Sequence, residues 1–268
     1  MRPILVSVDG VSVYSHSVFV ILGVIVALWS ARRVARRQGR LSVQLLWIVA
    51  GGMVGAALMA RFGLALRYVL LPGDASVQGL LEYGGQTLLG GLAGAWIGVV
   101  LMKRLIGYRR DTGDILVPGV ALGIGIGRIG CFLAERPGTP TTLPWGVHVP
   151  AEWAGRLRDC EGCLTGAAMH PSFLYESAFL ALLSWWLFRL SRRRTLPAPW
   201  MVEGDLFRTF LLAYAGFRFL VEFVRGNPEM ALGFSGSQLL VLPAFIVLVA
   251  YFVRRRRLWS VSPAGAAA

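Results

Sequence analysis

Apolar runs near the length of a bilayer crossing recur along this chain and constrain its fold more than any single residue does. They cover Val13–Ser30, Leu45–Leu66, Thr87–Met102, Ile115–Leu133, Phe173–Leu190, Leu206–Val224 and Gln238–Val253. About 20 apolar residues in a helix span the hydrocarbon core. Composition agrees: 56% of residues are hydrophobic and 15% charged, whereas a soluble domain carries about 25% charged residues. The expected fold class is an all-α polytopic membrane protein of seven transmembrane helices. A single helical domain is expected over 1–258, with external loops at about 67–86 and 134–171 and a disordered tail at 259–268.

A net charge of +13 would suggest nucleic acid as a partner of a soluble protein. Here the basic residues gather in short loops, at "ARRVARRQGR" from Ala31, "KRLIGYRR" from Lys103, "RLSRRR" from Arg189 and "RRRR" from Arg254. The positive-inside rule places those clusters in the cytoplasm, the N-terminus outside and the C-terminus inside. No nucleic-acid partner is expected. The charge beside the first span follows the apolar stretch, unlike that of a cleaved signal peptide. Three cysteines exclude a disulfide scaffold. Cys160 and Cys163 form a C-x-x-C compatible with a local disulfide in an oxidising compartment. With only His170 nearby, they are thin ground for a metal, and none is expected.

Charged residues inside spans mark functional paths by default. Arg128 lies about 20 Å from the cytoplasmic end of the fourth span at 1.5 Å per residue. In the sixth, Tyr214, Arg218 and Glu222 recur at i, i+4 and i+8, on one face, with Arg225 close to that stripe. Arg218 and Glu222 fall at about 18 and 24 Å, the depth of Arg128. Arg61 sits toward the outer end of the second span, and Glu135 and Gly138 at the outer mouth of the fourth. Arg218 is spaced to pair with Glu222, and Arg128 could pair with Glu135. Pairing leaves a surplus of arginine at that depth, which calls for an anion with a fork-shaped surface, such as a lipid phosphate. Gly119, Gly123 and Gly127 form a G-x-x-x-G ladder, which points to helix packing, as does Gly94. Gly84–Gly85 and Gly90–Gly91 fit either helix contact or close approach of a ligand. In "MHPSFLYES", Ser172 is the expected N-cap of the fifth helix. Tyr175 and Glu176 follow in its first turn, facing either the bundle or the interface.

These residues resemble the bacterial phosphatidylglycerol–prolipoprotein diacylglyceryl transferases. "GRIGCFLAERPG" is similar to a family signature in which G-R-x-G-N-F leads to a glutamate and a glycine. "HPSFLYE" matches H-P-x-x-L-Y-E, and "YAGFRFLVEFVR" matches Y-G-x-x-R-x-x-V-E-x-x-R, followed by "GSQLL" where the family has G-Q. The resemblance implies transfer of the diacylglyceryl group of phosphatidylglycerol to the lipobox cysteine of a prolipoprotein, forming a thioether and releasing glycerol 1-phosphate. It implies no cofactor, and a place in the bacterial cytoplasmic (inner) membrane among its lipids. Arg128 and Arg218 correspond to the phosphate-binding arginines, Tyr214 and Glu222 to the sixth-helix tyrosine and glutamate, and Glu135 and Gly138 to the signature pair. Arg61, Gly90, Gly91, His170, Tyr175 and Glu176 fall in supporting motifs. The family's H-G-G histidine is Leu89, the first-helix tyrosine is His16, and the signature asparagine is Cys131. Leucine cannot accept a proton, so Glu135, His16 and Tyr214, in that order, are the candidate bases. The alternative is a weakened or inactive relative that binds anionic lipid or signal peptide as a membrane subunit.

Overall fold

The computed structural model describes residues 2–8, 11–70, 88–154, 157, 166–192, 198–227 and 229–261. The chain is mostly helical and divides into two compact units, one of residues 38–111 and one of 1–37 with 112–268. Among the described residues, seven long helices correspond to the seven apolar runs. Five of them have stretches long and apolar enough to cross a membrane, which makes this a multi-pass membrane protein.

The smaller unit is a pair of helices, α2 (Val43–Leu70) and α3 (Leu88–Leu105). Ser42 Oγ accepts the Leu45 N–H at 3.2 Å and caps the start of α2. The pair is antiparallel and meets on glycine. A Cβ on Gly94 would overlap the Gly55 carbonyl and Met59 Cβ, and one on Gly98 would overlap the Gly51 carbonyl. Gly94 is therefore a packing residue, as its sequence context suggests. Gly94→Leu is expected to destabilise the protein by about 1–3 kcal/mol or more, because no rotamer avoids the facing backbone. Thermal unfolding in detergent reads this, and an unchanged midpoint would contradict the packing.

The larger unit opens with an antiparallel hairpin, β1 (Ile4–Val8) and β2 (Val11–Tyr14), that sequence periodicity did not suggest. Its long helices are α1 (Ser15–Arg37), α4 (Gly113–Ala134), α6 (Ser172–Ser191), α7 (Asp205–Val221) and α8 (Gly236–Val261). A single turn, α5 (Ala151–Ala154), lies between α4 and α6. A second small hairpin, β3 (Glu229–Ala231) and β4 (Phe234–Ser235), precedes α8.

Helix α4 packs against α1, α6 and α7. Toward α1, a Cβ on Gly119 would lie 2.5 Å from the Ala27 carbonyl, and one on Gly123 2.7 Å from the Gly23 carbonyl. The glycine ladder therefore serves packing at these two rungs. Gly127 is not the third: a Cβ there meets only Val20 at 4.0 Å, while Gly130 abuts Phe19 and His16. Toward α6, Ser177 and Ser184 donate to the Gly125 and Pro118 carbonyls at 2.8 and 2.7 Å. Such interhelical hydrogen bonds and small-residue contacts hold helices together where lipid removes the hydrophobic drive.

Helix ends differ from the apolar runs. α1 continues past Ser30 through the basic cluster to Arg37, because arginine is a good helix former. α8 likewise continues to Val261, so residues 259–261 of the expected tail are helical. α7 stops at Val221, and Glu222–Val224 form a 3-10 turn. Its other end is pinned by two aspartates. Asp114 accepts the Gly204 and Phe207 N–H groups at 2.8 and 3.0 Å, placing negative charge at the positive end of the helix dipole. Buried Asp205 accepts from Val202 N, Arg208 and Tyr251 at 2.7–2.9 Å. Asp205→Ala strands those donors and is expected to cost roughly 2–3 kcal/mol. A melting temperature within error of wild type would show that the pin is dispensable.

Candidate functional site

Three elements of the larger unit bring the buried charges together: α4 with Arg128, α6 with Glu176, and α7 with its 3-10 extension. Arg128 and Glu176 are both buried, with Nε 2.9 Å from Oε1. Tyr214 Oη donates to the same Oε1 at 2.5 Å. One turn on, Arg218 Nη1 donates to Glu222 Oε2 at 2.6 Å and Nη2 to Ser237 Oγ at 3.4 Å. Glu222 Oε1 in turn accepts from Asn227 Nδ2 at 2.6 Å and Ser235 Oγ at 2.8 Å. Arg225 reaches back, its Nη1 3.6 Å from Glu176 Oε2 and Nη2 3.9 Å from Glu135 Oε2. The ring of Phe173 faces two of these cations, 5.8 Å from the Arg128 guanidinium carbon and 4.4 Å from that of Arg225.

The expected arginine surplus is not what these residues form. Glu176, whose facing the spacing left open, points into the cluster, and Arg128 pairs with it rather than with Glu135. Arg128, Arg218 and Arg225 stand against Glu135, Glu176 and Glu222, a balanced set. Balance in charge is not saturation in hydrogen bonds. Arg128 Nε and Glu176 Oε2 meet their partners as ion pairs, at 2.9 and 3.6 Å, without aligned hydrogen bonds. Arg225, outside the helical spans, holds its neighbours only at long range. Burial first, then repulsion by Arg218 and Arg128, lowers its pKa below the ordinary guanidinium value. An arriving anion would relieve that repulsion.

Beside Arg128 lies a second group. Cys131 Sγ is 3.8 Å from Arg128 Nη1 and 3.6 Å from His16 Nδ1. His16, Cys131 and Glu135 place their ligand atoms within 4.8 Å of one another. Such a trio could in principle hold a metal ion, but the adjoining guanidinium makes the spot unfavourable for a cation. It brings two proton acceptors, an imidazole and a carboxylate, to the edge of the arginine cluster. Tyr214, the third candidate base, instead spends its proton in the hydrogen bond to Glu176.

The segment after α4 ties these pieces together. A Cβ on Gly138 would sit 2.5 Å from the Val224 carbonyl and 2.7 Å from that of His170, so only glycine fits. Thr139 N donates to Val224 O, and His170 N to Thr139 O, each at 2.9 Å. Ser172 does not cap α6: Pro171 occupies the N-cap position and Ser172 Oγ donates to the Pro137 carbonyl instead. His170 Nδ1 lies 3.2 Å from Tyr175 Oη, which also accepts from Trp145 Nε1 at 2.8 Å. His170 and Tyr175 thus brace the segment between α4 and α6.

Gly90 and Gly91 belong to the smaller unit. A Cβ on Gly91 meets only Ala60, at an ordinary 3.7 Å, so helix contact does not explain that glycine. The side chains of Arg61 and Leu89, and residues Cys160 and Cys163, lie outside the described residues. Three contributors were not assigned from sequence, Phe173, Asn227 and Ser235, while Arg225 was placed close to the sixth-span stripe without a role. Ser235 was legible as the start of an S-x-x-Q capping box. Gln238 N donates to Ser235 Oγ at 3.3 Å, and Ser235 N to Gln238 Oε1 at 3.0 Å.

Comparison with known proteins gives one consistent answer. The family profile described as prolipoprotein diacylglyceryl transferase matches residues 3–254. A phosphatidylglycerol–prolipoprotein diacylglyceryl transferase of Chromohalobacter salexigens is 32% identical, the match covering 95% of this chain and 92% of that protein. The enzyme of the same name from Geobacter sulfurreducens is also 32% identical, covering 90% and 91%. That of Cereibacter sphaeroides is 34% identical, covering 82% and 79%.

Proposed function

The chain belongs to the prolipoprotein diacylglyceryl transferase family, and from that premise we propose that it transfers the diacylglyceryl group of phosphatidylglycerol to a prolipoprotein. The acceptor is the thiol of the lipobox cysteine in the signal peptide. The protein works in the bacterial cytoplasmic membrane, surrounded by membrane lipids, with seven spans, the N-terminus outside and the C-terminus in the cytoplasm. The agreement of seven long helices with seven apolar runs, and the alternation of basic loops, support that arrangement.

The observation that carries the reading is the convergence of three guanidinium groups, those of Arg128, Arg218 and Arg225, on one cluster. Arg128 and Arg218 bind the phosphate of phosphatidylglycerol, with Arg225 as a third cation. Glu176 and Tyr214 hold Arg128 in place, and Glu222, clamped by Asn227 and Ser235, holds Arg218. The glutamates preset the guanidinium directions before substrate arrives, which is how fixed dipoles favour charge that develops during reaction.

In the reaction, the acceptor thiol loses its proton to the Glu135–His16 pair. The thiolate attacks the glyceryl carbon that bears the phosphate, a carbon–sulfur bond forms, and the carbon–oxygen bond breaks. The electron pair stays on the phosphate oxygen, which departs as glycerol 1-phosphate. Nearby guanidinium charge favours both the thiolate and the leaving phosphate. Tyr214 is a positioning residue on this reading, because its hydroxyl already donates to Glu176. Expression in a bacterium depleted of its own transferase tests the function. Wild type should restore lipidation of prolipoproteins, and an Arg128→Gln/Arg218→Gln variant should not. Failure of well-expressed wild type would favour the non-catalytic lipid-binding relative.

A further inference from the structure

The smaller unit contains a basic pocket with no part in the transfer chemistry. Helix α3 ends in a Schellman motif: the Tyr108 N–H donates to the Lys103 carbonyl at 2.9 Å and the Gly107 N–H to the Arg104 carbonyl at 3.3 Å. Gly107 takes the left-handed conformation that the motif needs, at φ +67°. The reversed chain wraps a cavity of ≈ 470 Å³ lined by Val100, Lys103, Arg104, Gly107, Tyr108 and Arg109. Three of those six residues are cations, and none is a carboxylate. A Cβ on Gly107 would meet nothing within 4 Å, so the space beside the turn is open.

The pocket is braced. Arg40 Nη2 donates to Tyr108 Oη at 3.5 Å and to the Asp111 carbonyl, which holds the turn against the start of the unit. Lys103 Nζ stands 5.9 Å from the centre of the Tyr108 ring. Topology requires positive charges near this loop, but it does not require three of them to line one open depression. Along the same helix, Ile97, Leu101 and Leu105 are exposed at i, i+4 and i+8, an apolar stripe that ends beside the pocket.

We propose that this pocket binds the phosphate of an anionic phospholipid, whose acyl chains lie along Ile97, Leu101 and Leu105. Its volume falls within the roughly 300–1,000 Å³ of small-molecule sites. Basic pockets at the membrane ends of helices are suited to acidic headgroups. The site takes lipid from the leaflet that the basic loops face, and shares no residue with the arginine cluster of the transferase site.

The test is native mass spectrometry of the delipidated full-length protein titrated with phosphatidic acid, which carries a phosphate but no glycerol leaving group; wild type should hold two lipids, one at the arginine cluster and one at the pocket, and the pocket lipid is the readout. Lys103→Gln/Arg104→Gln/Arg109→Gln should weaken binding on the order of 100-fold, since each cation near a headgroup contributes about tenfold or less. Arg32→Gln/Arg33→Gln/Arg36→Gln, with the same loss of charge elsewhere, should bind as wild type does. The conservative Lys103→Arg/Arg104→Lys/Arg109→Lys variant should retain binding and controls for misfolding. Equal binding by the pocket and control triple variants overturns the site. Displacement of the lipid by millimolar inorganic phosphate overturns the lipid as occupant in favour of a free anion.

Discussion

Arg128→Gln is expected to lower the rate of diacylglyceryl transfer about 10²–10³-fold, the usual loss when one preorganised donor to developing charge is removed. The same change leaves Glu176 buried with Tyr214 as its donor and Arg225 at 3.6 Å as its nearest remaining cation. Breaking a buried ion pair from one side costs about 3–5 kcal/mol, so the single variant should also be unstable. Activity and stability separate in the double variant Arg128→Gln/Glu176→Gln, which removes both charges. It should unfold near the wild-type temperature while remaining as inactive as the single variant. Recovery of transfer in the double variant would mean that Arg128 only balances Glu176 and does not hold phosphate.

The second large effect concerns the proton. With leucine at position 89, the thiol proton must go elsewhere, and His16 and Glu135 are the acceptors beside Arg128. Glu135→Gln and His16→Ala should each reduce kcat by about 10²–10⁴-fold, the range for general-base assistance. Their KM for phosphatidylglycerol should change little, because neither is assigned to the phosphate. The double variant should be scarcely worse than the poorer single one, as for residues that act as a unit. Additive losses would argue for two separate roles. Cys131→Ser should keep kcat close to wild type, since Cys131 fills space rather than reacting. A large loss there would bring the thiol itself into the chemistry.

Much of this arrangement was legible before any coordinates. Apolar length located every long helix among the described residues, because the backbone in lipid has few alternatives. The 3.6-residue repeat put Tyr214, Arg218 and Glu222 on one face, and matching depths brought Arg128 to them. What the repeat could not supply was rotation of one helix relative to another. Glu176 sits in a first turn where either facing was open, and only the packing of α6 on α4, through Ser177 and Ser184, turns it inward. The pairing of Arg128 with Glu176 follows from that rotation. Both β-hairpins escaped notice because strands of two to five residues have too few positions to display a period. Ser172 misled for a related reason. A serine before a helix reads as a cap, but the Pro137 carbonyl, brought near by the Gly138 contact, competes for its hydroxyl.

The central claim is that the buried arginines hold a lipid phosphate while a thiol displaces it. Incubating the purified protein with phosphatidylglycerol and a lipobox peptide, then weighing the peptide by mass spectrometry, tests it most directly. The account predicts a gain of one diacylglyceryl group on the cysteine with wild type, and none above background with Arg128→Gln/Arg218→Gln. An unmodified peptide with the wild-type protein, or full modification by the double variant, would contradict it.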